Sequence, residues 1–148
     1  MILDADIIYF NGGDQSRHMR CMFNDDGQPN PFFTRLRNRV LNNQAIVVGV
    51  SAGTTIQSKY SYGGGSSFGI LYFTNSLGLA PLSISQNEGM VDSRTGTESL
   101  QYEENGGVIQ GFGFVDFFVD THFNRRGRLG RMIPALSQLN QTLGIGID

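Results

Sequence analysis

A pentapeptide built around one serine is the part of this chain best suited to chemistry. The residues Gly49–Gly53 read Gly-Val-Ser-Ala-Gly, and they follow the apolar run Ala45–Val48. A strand, a sharp turn with a hydroxyl at its apex and then a helix make up a nucleophile elbow, written G-x-S-x-G. A serine hydroxyl needs a base to take its proton and donors to stabilise the oxyanion that it creates. The alternative interpretation of Ser51 is a helix cap in a tight turn, because serine is favoured at that position.

The chain has two histidines, His18 and His122, so the candidates for the base are few. His122 follows a predicted strand at 115–120, and an imidazole titrates near neutral pH, as a general base should. His18 lies in a predicted helix, and we expect it at the surface. The sequence therefore predicts that His122 takes the proton of Ser51. The alternative is a structural histidine held by hydrogen bonds.

A pair of glycines, Gly12 and Gly13, follows the first predicted strand and can supply oxyanion donors. Backbone N–H groups at such a turn can point at a reacting oxygen, and the amide of Ala52, just after the serine, is the second donor expected of an elbow. A phosphate-binding loop is the competing interpretation. The chain lacks a Gly-Lys-Ser/Thr sequence and a full G-x-G-x-x-G, which makes that interpretation weak.

Four arginines lie within residues 125–131, directly after His122. Guanidinium groups bind carboxylates through paired hydrogen bonds, so this cluster next to a predicted base indicates an acidic substrate. A solvated helix start and a nucleic-acid patch are the alternatives, and we expect some of the arginines to hold loops through buried ion pairs. No metal site is predicted, because one cysteine and two distant histidines form no ligand motif.

The elements that must position these residues alternate between strand and helix. Compact apolar runs predict strands, and apolar residues at helical spacing predict the helices between them. Predicted strands lie at 7–10, 45–48, 115–120 and 143–147, and predicted helices at 16–23, 32–41, 52–59 and 128–143. This alternation is typical of an α/β fold with a parallel sheet covered on both faces. Functional residues in such sheets gather where strands end, which is where Gly12–Gln15, Ser51 and His122 stand.

Composition limits the remaining possibilities. The chain has 148 residues, a net charge of −2 and 39% hydrophobic residues. We interpret 1–148 as a single α/β domain, and the low net charge predicts no general attraction to nucleic acid or to membranes. No apolar run approaches the roughly 20 residues that span a bilayer. Because the chain opens and closes almost directly on strand patterns, we expect further polypeptide at both ends, as in a fragment or one chain of a split protein.

Taken together, three blocks resemble the cyanophycinase branch of the peptidase E-like serine peptidases. They are Gly12–Gln15, the elbow Gly49–Gly53, and the stretch Asp120–Arg131 with its His-Phe-x-x-Arg-x-Arg-Leu-Gly-Arg pattern. The blocks occur in the family's order, and the resemblance covers nearly the whole chain. It implies a three-layer α/β sandwich with a mainly parallel sheet, like those of flavodoxins and class I glutamine amidotransferases, and a hydrolase without a cofactor.

The resemblance also implies roles for individual residues. Ser51 would be the nucleophile and His122 the base, with oxyanion amides from Gly13 and Ala52. Positions expected to bind substrate are Gln15, Asp120, Thr121, Arg126, Arg128 and Arg131. Cyanophycinases cleave a polymer with a poly-aspartate backbone and arginine side groups, whereas peptidase E relatives cut after an N-terminal aspartate. Either substrate would present aspartate-derived carboxylates, and the resemblance further implies a homodimer.

The acid of the implied Ser-His-Glu triad would follow Asp148, so we expect the rest of the protein or a companion chain to supply it. The sequence departs from the family at Thr121, where glutamine is usual, and at Thr54, where alanine is usual. The segments 24–31 and 85–106 also look long enough to lie over the site. Cyanophycin is therefore one candidate substrate among aspartate-containing peptides.

Two other function classes stay open. One is a catalytically silent homologue that serves as a structural or binding protein, as the unusual Thr121 would allow. The other is a different type of hydrolase, such as an esterase, in which the acid precedes the histidine along the chain. Candidates for that acid are Asp92, Glu98, Glu103, Glu104 and Asp116.

Overall fold

The computed structural model describes residues 4–24, 26–62, 67 and 108–148. Strands and helices alternate along most of this part of the chain, as the hydrophobic pattern predicts. The elements in chain order are β1 (Ile7–Phe10), α1 (Gln15–Met22), α2 (Pro31–Leu41), β2 (Ile46–Gly49), α3 (Ala52–Thr55), β3 (Tyr60–Tyr62), β4 (Val108–Gln110), β5 (Phe118–Thr121), α4 (Leu129–Gln138) and β6 (Gly144–Ile147).

The described strands form three pairs. β1 pairs with β2 in parallel, with Ile7 opposite Ile46, and β5 pairs with β6 in parallel, with Thr121 opposite Ile147. β3 and β4 form an antiparallel pair. The predicted α/β class is confirmed. The three-layer sandwich and the flavodoxin-like arrangement stay predictions, because these pairs do not join into one sheet within the described residues.

The first core lies beneath β1 and is built by side-chain alternation. Ile8 and Phe10 point inward, as expected for a strand whose successive side chains face opposite sides. Buried residues of α1, of α2 and of the segments after α3 and β4 pack against them: Met19, Phe33, Leu36, Ile56 and Phe112. The helix α2 begins at Pro31, with the Asn30 side chain accepting a hydrogen bond from the Phe33 amide, so its start has an ordinary N-cap.

The opposite face of the β1–β2 pair is open. Five large apolar side chains lie on this face and are between 45% and 65% exposed: Ile7, Tyr9, Ile46, Val48 and Val50. Parallel strands normally have both faces covered. This face is called the open sheet face below.

The second core holds β5 and β6 against α4. Its buried members are Tyr62, Val108, Phe118, Met132 and Ala135. The strand β6 runs close beneath α4, since a Cβ at Gly144 would lie 2.7 Å from the Met132 sulfur. This packing places the ends of β5 and β6 side by side.

Three boundaries differ from the sequence predictions, and at two of them the cause is hydrogen bonding between segments that are distant in the chain. The helix predicted at 52–59 ends at Thr55, because the carbonyl groups of Ile56 and Ser58 accept hydrogen bonds from Phe112 and Gly113 instead. The strand predicted at 115–120 begins only at Phe118. Val115 is hydrogen-bonded to the segment after α3 instead, since its amide donates to the carbonyl of Gln57.

The helix predicted at 128–143 is also shorter and ends at Gln138. Segment 85–106 lies outside the described residues. Among the described helices, none is long and apolar enough to cross a membrane.

Candidate active site

Ser51 occupies a strained turn between β2 and α3. Its backbone has φ 52° and ψ −115°, a conformation that is costly for a residue with a side chain. The residue stands at the N-cap position of α3, yet its side chain makes no capping hydrogen bond. The interpretation of Ser51 as a side-chain helix cap is therefore wrong. The turn presents the hydroxyl outward from the helix start.

The two glycines of the pentapeptide let this turn form. A Cβ at Gly49 would overlap the carbonyl oxygen of Gly53, and a Cβ at Gly53 would overlap the carbonyl oxygen of Phe10. Any larger residue at either position forces backbone to move, since real Cβ atoms do not approach so closely. The strand-turn-helix layout of G-x-S-x-G therefore depends on close backbone packing on both sides of the serine.

The hydroxyl of Ser51 reaches the imidazole of His122. Ser51 Oγ lies 2.8 Å from His122 Nε2, although the two residues are 71 positions apart in the chain. His122 follows β5 directly and has φ 51°, so a left-handed turn directs its ring away from the strand. The structure thus brings together the two residues that the sequence selected as nucleophile and base.

The surroundings of His122 favour its neutral form. Burial lowers its pKa, and the nearby guanidinium groups of Arg126, Arg128 and Arg125 lower it further, while the carboxylate of Asp148 acts in the opposite direction. A neutral imidazole can accept a proton at Nε2, which is what a general base must do.

Asp148 ties the turn after His122 to β6. Its Oδ1 accepts hydrogen bonds from the amides of Asn124 and Arg125, at 3.0 Å and 3.3 Å. Because Thr121 is paired with Ile147, the residues that follow these two strands lie next to each other. Within the described residues, no acceptor is assigned to Nδ1 of His122. Of the acids considered for a different hydrolase, only Asp116 is described, and it makes no hydrogen bond to His122.

The glycine turn after β1 lies beside the serine. A Cβ at Gly12 would stand 3.4 Å from the Ser51 Cβ, so this turn and the elbow are in van der Waals contact. Gly13 has φ 129°, a conformation suited to glycine. Ala52 is buried at the first position of α3, where a helix amide has no partner within its own helix. The Ala52 amide directly follows the serine, Gly13 follows the glycine that contacts it, and the oxyanion role of both amides stays a prediction.

Four residues predicted to bind substrate form a network with one another: Asp120, Thr121, Arg128 and Arg131. Arg131 binds both carboxylate oxygens of Asp120, at 2.6 Å and 2.7 Å, and Arg128 donates to Oδ1 at 3.0 Å. The amide of Thr121 also donates to Oδ1, and its carbonyl accepts from Arg128. Asp120 and Arg131 are 1% and 4% exposed. Their paired geometry holds the strand that precedes His122, and a direct role on substrate stays a prediction.

Burial also changes the titration of Arg128. It lowers the pKa of this side chain to about 10, with help from the charge of Arg131, while the carboxylate of Asp120 acts in the opposite direction. Arg128 therefore keeps its charge at neutral pH, and it shares the buried carboxylate of Asp120 with Arg131.

Tyr62 links the two sides of the site, and no motif in the sequence marked it. Its ring lies 4.5 Å from the guanidinium carbon of Arg131, its hydroxyl donates to the Arg131 carbonyl, and its own carbonyl accepts from Gln15. Burial is the main reason that the pKa of Tyr62 is raised. Gln15 is thus joined to Asp120 through Tyr62 and Arg131. The only sequence signal is its place in a short apolar-polar alternation, which many strands share.

Of the arginines in the cluster, Arg125 and Arg126 are the exposed ones. The amide of Arg126 donates to the carbonyl of His122 at 3.0 Å, so its position follows that of the base. Its exposed guanidinium leaves it the best placed of the predicted substrate residues to meet an incoming carboxylate. His18, predicted at the surface, is instead half-buried, with its ring edge-on to Phe10.

These features define an α/β protein with a serine-histidine pair where its strands end. Comparison with known proteins identifies the family to which the chain is related. The chain is 32% identical to the cyanophycinase of Geminocystis herdmanii over 141 residues, which is 95% of this chain and 39% of that protein. It is 31% identical to the cyanophycinase of Trichormus variabilis over 141 residues, or 36% of that protein, and 30% identical to that of Synechococcus elongatus over 118 residues.

The chain belongs to a cyanophycinase-like family. Each of the three relatives is named as a cyanophycinase. No family model matches the sequence. The chain spans less than two fifths of the length of each of these three relatives.

Proposed function

We propose that this protein is a serine-type peptidase resembling cyanophycinase, with Ser51 as nucleophile and His122 as base. The observation that carries the proposal is the 2.8 Å approach of Ser51 Oγ to His122 Nε2 at a strained elbow. Strain at a residue with a side chain persists only where the surrounding structure holds it, and such residues cluster at active sites. The family relationship supports the same assignment.

In the proposed reaction, His122 Nε2 takes the proton as Ser51 Oγ attacks the scissile carbonyl carbon. The carbonyl π electrons move onto oxygen, and the amides of Gly13 and Ala52 stabilise the resulting oxyanion. When the carbonyl re-forms, the C–N bond breaks and the imidazolium gives its proton to the leaving amine. Water then attacks the acyl-serine with His122 again as base, which releases the acid product and restores Ser51.

We further propose a glutamate as the third member of the triad, from polypeptide that continues β6 or from a companion chain. The pairing of Thr121 with Ile147 supports this, because a residue soon after Asp148 would lie beside His122. A carboxylate there would accept the Nδ1 proton and stabilise the imidazolium. It would also raise the pKa of His122 towards its ordinary value and so offset the effect of the arginines.

For the substrate, we propose peptides or an isopeptide polymer that carry aspartate-derived carboxylates. The exposed guanidinium of Arg126 beside His122 supports an acidic group near the scissile bond. The relatives are named for cyanophycin, the polymer with arginine side groups on a poly-aspartate backbone, and that polymer is the first substrate to test. Thr121 is buried against Asp120, so the difference from glutamine at this position acts on the network behind His122.

The three-layer sandwich is proposed on the strength of the open sheet face. Five large apolar side chains on one side of a parallel pair favour a second helix layer over them. The homodimer implied by the family resemblance stays a prediction.

The decisive experiment compares wild type with Ser51→Ala in the full-length protein, on cyanophycin and on β-aspartyl-arginine. We expect the substitution to reduce turnover by at least about a thousandfold, as removal of a catalytic serine does. Ser137→Ala changes an exposed serine of α4 and serves as the matched control. A fluorophosphonate probe should label wild type and not Ser51→Ala. Equal turnover in both proteins would exclude the proposal, and an inactive, unlabelled wild type would favour a silent homologue.

A further inference from the structure

A second cavity lies away from the serine-histidine pair. It has a volume of about 410 Å³ and is bordered by the residues that follow α3, whereas Ser51 precedes that helix. This volume is in the range of small-molecule sites, about 300–1,000 Å³. None of the residues assigned to the active site lines it. It is called the distal cavity below.

Three charged side chains line the distal cavity: Arg37, Lys59 and Asp116. Lys59 and Asp116 are exposed, and within the described residues no ion pair joins Asp116 to either cation. This carboxylate and these two cations are therefore available to a ligand that carries both a negative and a positive group.

Neighbouring residues fix the position of the Arg37 side chain. Its Nε donates to the carbonyl of Phe112 at 3.1 Å, which leaves the terminal guanidinium nitrogens directed elsewhere. Gly113, with φ 68°, lies against this group, and a Cβ there would stand 3.3 Å from Nη2. The absent side chain at Gly113 therefore leaves room for the arginine head at the cavity wall. The half-buried ring of Phe23 adds an aromatic edge.

We propose that the distal cavity binds a zwitterionic amino-acid group that combines a carboxylate with a guanidinium. The ligand carboxylate pairs with Arg37 and Lys59, where a guanidinium-carboxylate pair can form two parallel hydrogen bonds. The ligand guanidinium pairs with Asp116 and lies against Phe23, because planar guanidinium groups stack on aromatic rings.

This site deepens the proposed function and rests on it for its biological meaning. An arginine side group carries both charges, so a substrate chain with many such groups can anchor one in the distal cavity while another region reaches Ser51. A second, weak contact of this kind raises the local concentration of the polymer at the scissile site. Isolated dipeptide products would bind the same cavity.

The test uses full-length Ser51→Ala protein labelled with ¹⁵N and titrated with β-aspartyl-arginine. We expect saturable shifts of the amides of Lys59 and Gln110–Gly113, and at least about fivefold weaker binding in Lys59→Gln and in Asp116→Asn, each of which removes one ion pair. Arg35→Gln and Asp6→Asn remove exposed charges that do not line the cavity and should leave the affinity unchanged.

Two results would overturn the proposal. One is saturation with shifts confined to the turn around His122, and the other is equal affinity in the cavity variants and their controls. Failure of the proposed function is a different result, namely hydrolysis by Ser51→Ala at the wild-type rate. The amide shifts report on the distal cavity whichever way that activity measurement turns out.

Discussion

The backbone of Gly53 packs against the carbonyl oxygen of Phe10, leaving no space for a Cβ between the elbow and the end of β1. This contact joins the helix that follows Ser51 to the strand that leads into the glycine turn. The elbow at Ser51 and the glycine turn that begins at Gly12 are thereby held next to each other. Precise placement of both is what acyl transfer requires.

Gly53→Ala should damage both stability and activity, because its Cβ would displace the Phe10 carbonyl. Overpacking of this kind costs about 1–3 kcal/mol of the free energy of unfolding, and turnover should fall with the misplaced elbow. Gly12→Ala is a matched control for stability, since its Cβ would meet neighbours at ordinary distances of 3.4 Å or more. Urea denaturation and kcat measurements on both variants test this. Equal midpoints would mean that the elbow has space that the structure does not show.

The pH dependence of kcat/KM should reflect the depressed pKa of His122. Activity requires the neutral imidazole, and the proposed glutamate raises its pKa only towards the ordinary value, so the acidic limb of the profile should lie no higher than the ordinary histidine pKa of about 6.5. Arg126→Gln removes a positive neighbour, which stabilises the imidazolium, raises its pKa and moves the limb to higher pH. Asp148→Asn removes a negative neighbour and should move the limb to lower pH.

Both shifts should be small and should shrink in high salt, because Arg126 and Asp148 are exposed. Arg35→Gln, distant from His122 in α2, is the control for a change in net charge. Movement of the limb in the same direction for Arg126→Gln and Asp148→Asn would contradict the electrostatic explanation.

Asp120→Asn should be severely destabilising. It leaves Arg128 and Arg131 close together without their shared carboxylate, and breaking a buried ion pair from one side costs about 3–5 kcal/mol. Asp116→Asn is the matched control, since it changes an exposed aspartate and should shift stability by no more than about 0.5 kcal/mol. Thermal and denaturant unfolding measure the difference. Similar stability for the two variants would show that the network has no role in holding β5.

Tyr62→Phe isolates one hydrogen bond in the link between Gln15 and Arg131. It keeps the ring over the guanidinium and removes the hydroxyl that donates to the Arg131 carbonyl, which should cost about 1–2 kcal/mol. Tyr62→Leu also removes the ring and should cost more. Tyr9→Phe, at an exposed tyrosine, is the control and should be near neutral. Chemical denaturation of the three variants ranks them, and any other order would contradict the contacts described.

The open sheet face should be covered in the full-length protein if the three-layer sandwich is correct. Ile46→Lys would then bury an unpaired charge and lower the melting temperature strongly, since a buried charge without a partner is costly. Leu41→Lys, at an exposed position outside this face, is the matched control. If both substitutions had equally small effects on melting, the face would be exposed to solvent and the second helix layer absent from it.

The sequence by itself determined the local parts of this protein. Apolar runs and their spacing predicted β1, α1, α2, β2 and β6 to within a few residues, because burial imposes a period on each element separately. The elbow could also be predicted from the local sequence. Gly49 and Gly53 flank Ser51, and the need for small residues on both sides of a tight strand-to-helix turn is a local property.

The ends of elements required more than local sequence. The segment after α3 is helical by pattern, yet its carbonyl groups accept hydrogen bonds from Phe112 and Gly113, about 55 residues further along the chain. The same competition delays the start of β5. Helix propensity is a weak preference, and tertiary hydrogen bonds override it where a distant segment supplies donors.

Only the tertiary structure decided which charged residues form ion pairs within the protein and which stay exposed to solvent. The sequence predicted that some arginines of the cluster form buried ion pairs, and the structure identifies them as Arg128 and Arg131 on Asp120. Burial makes this pairing obligatory, because a charge removed from water must have a partner. Tyr62 belongs to the site because it contacts residues that are 47 and 69 positions away in the chain. The approach of Ser51 to His122 has the same origin, since the packing of two strand ends, and no local signal, brings a hydroxyl and an imidazole to within 2.8 Å.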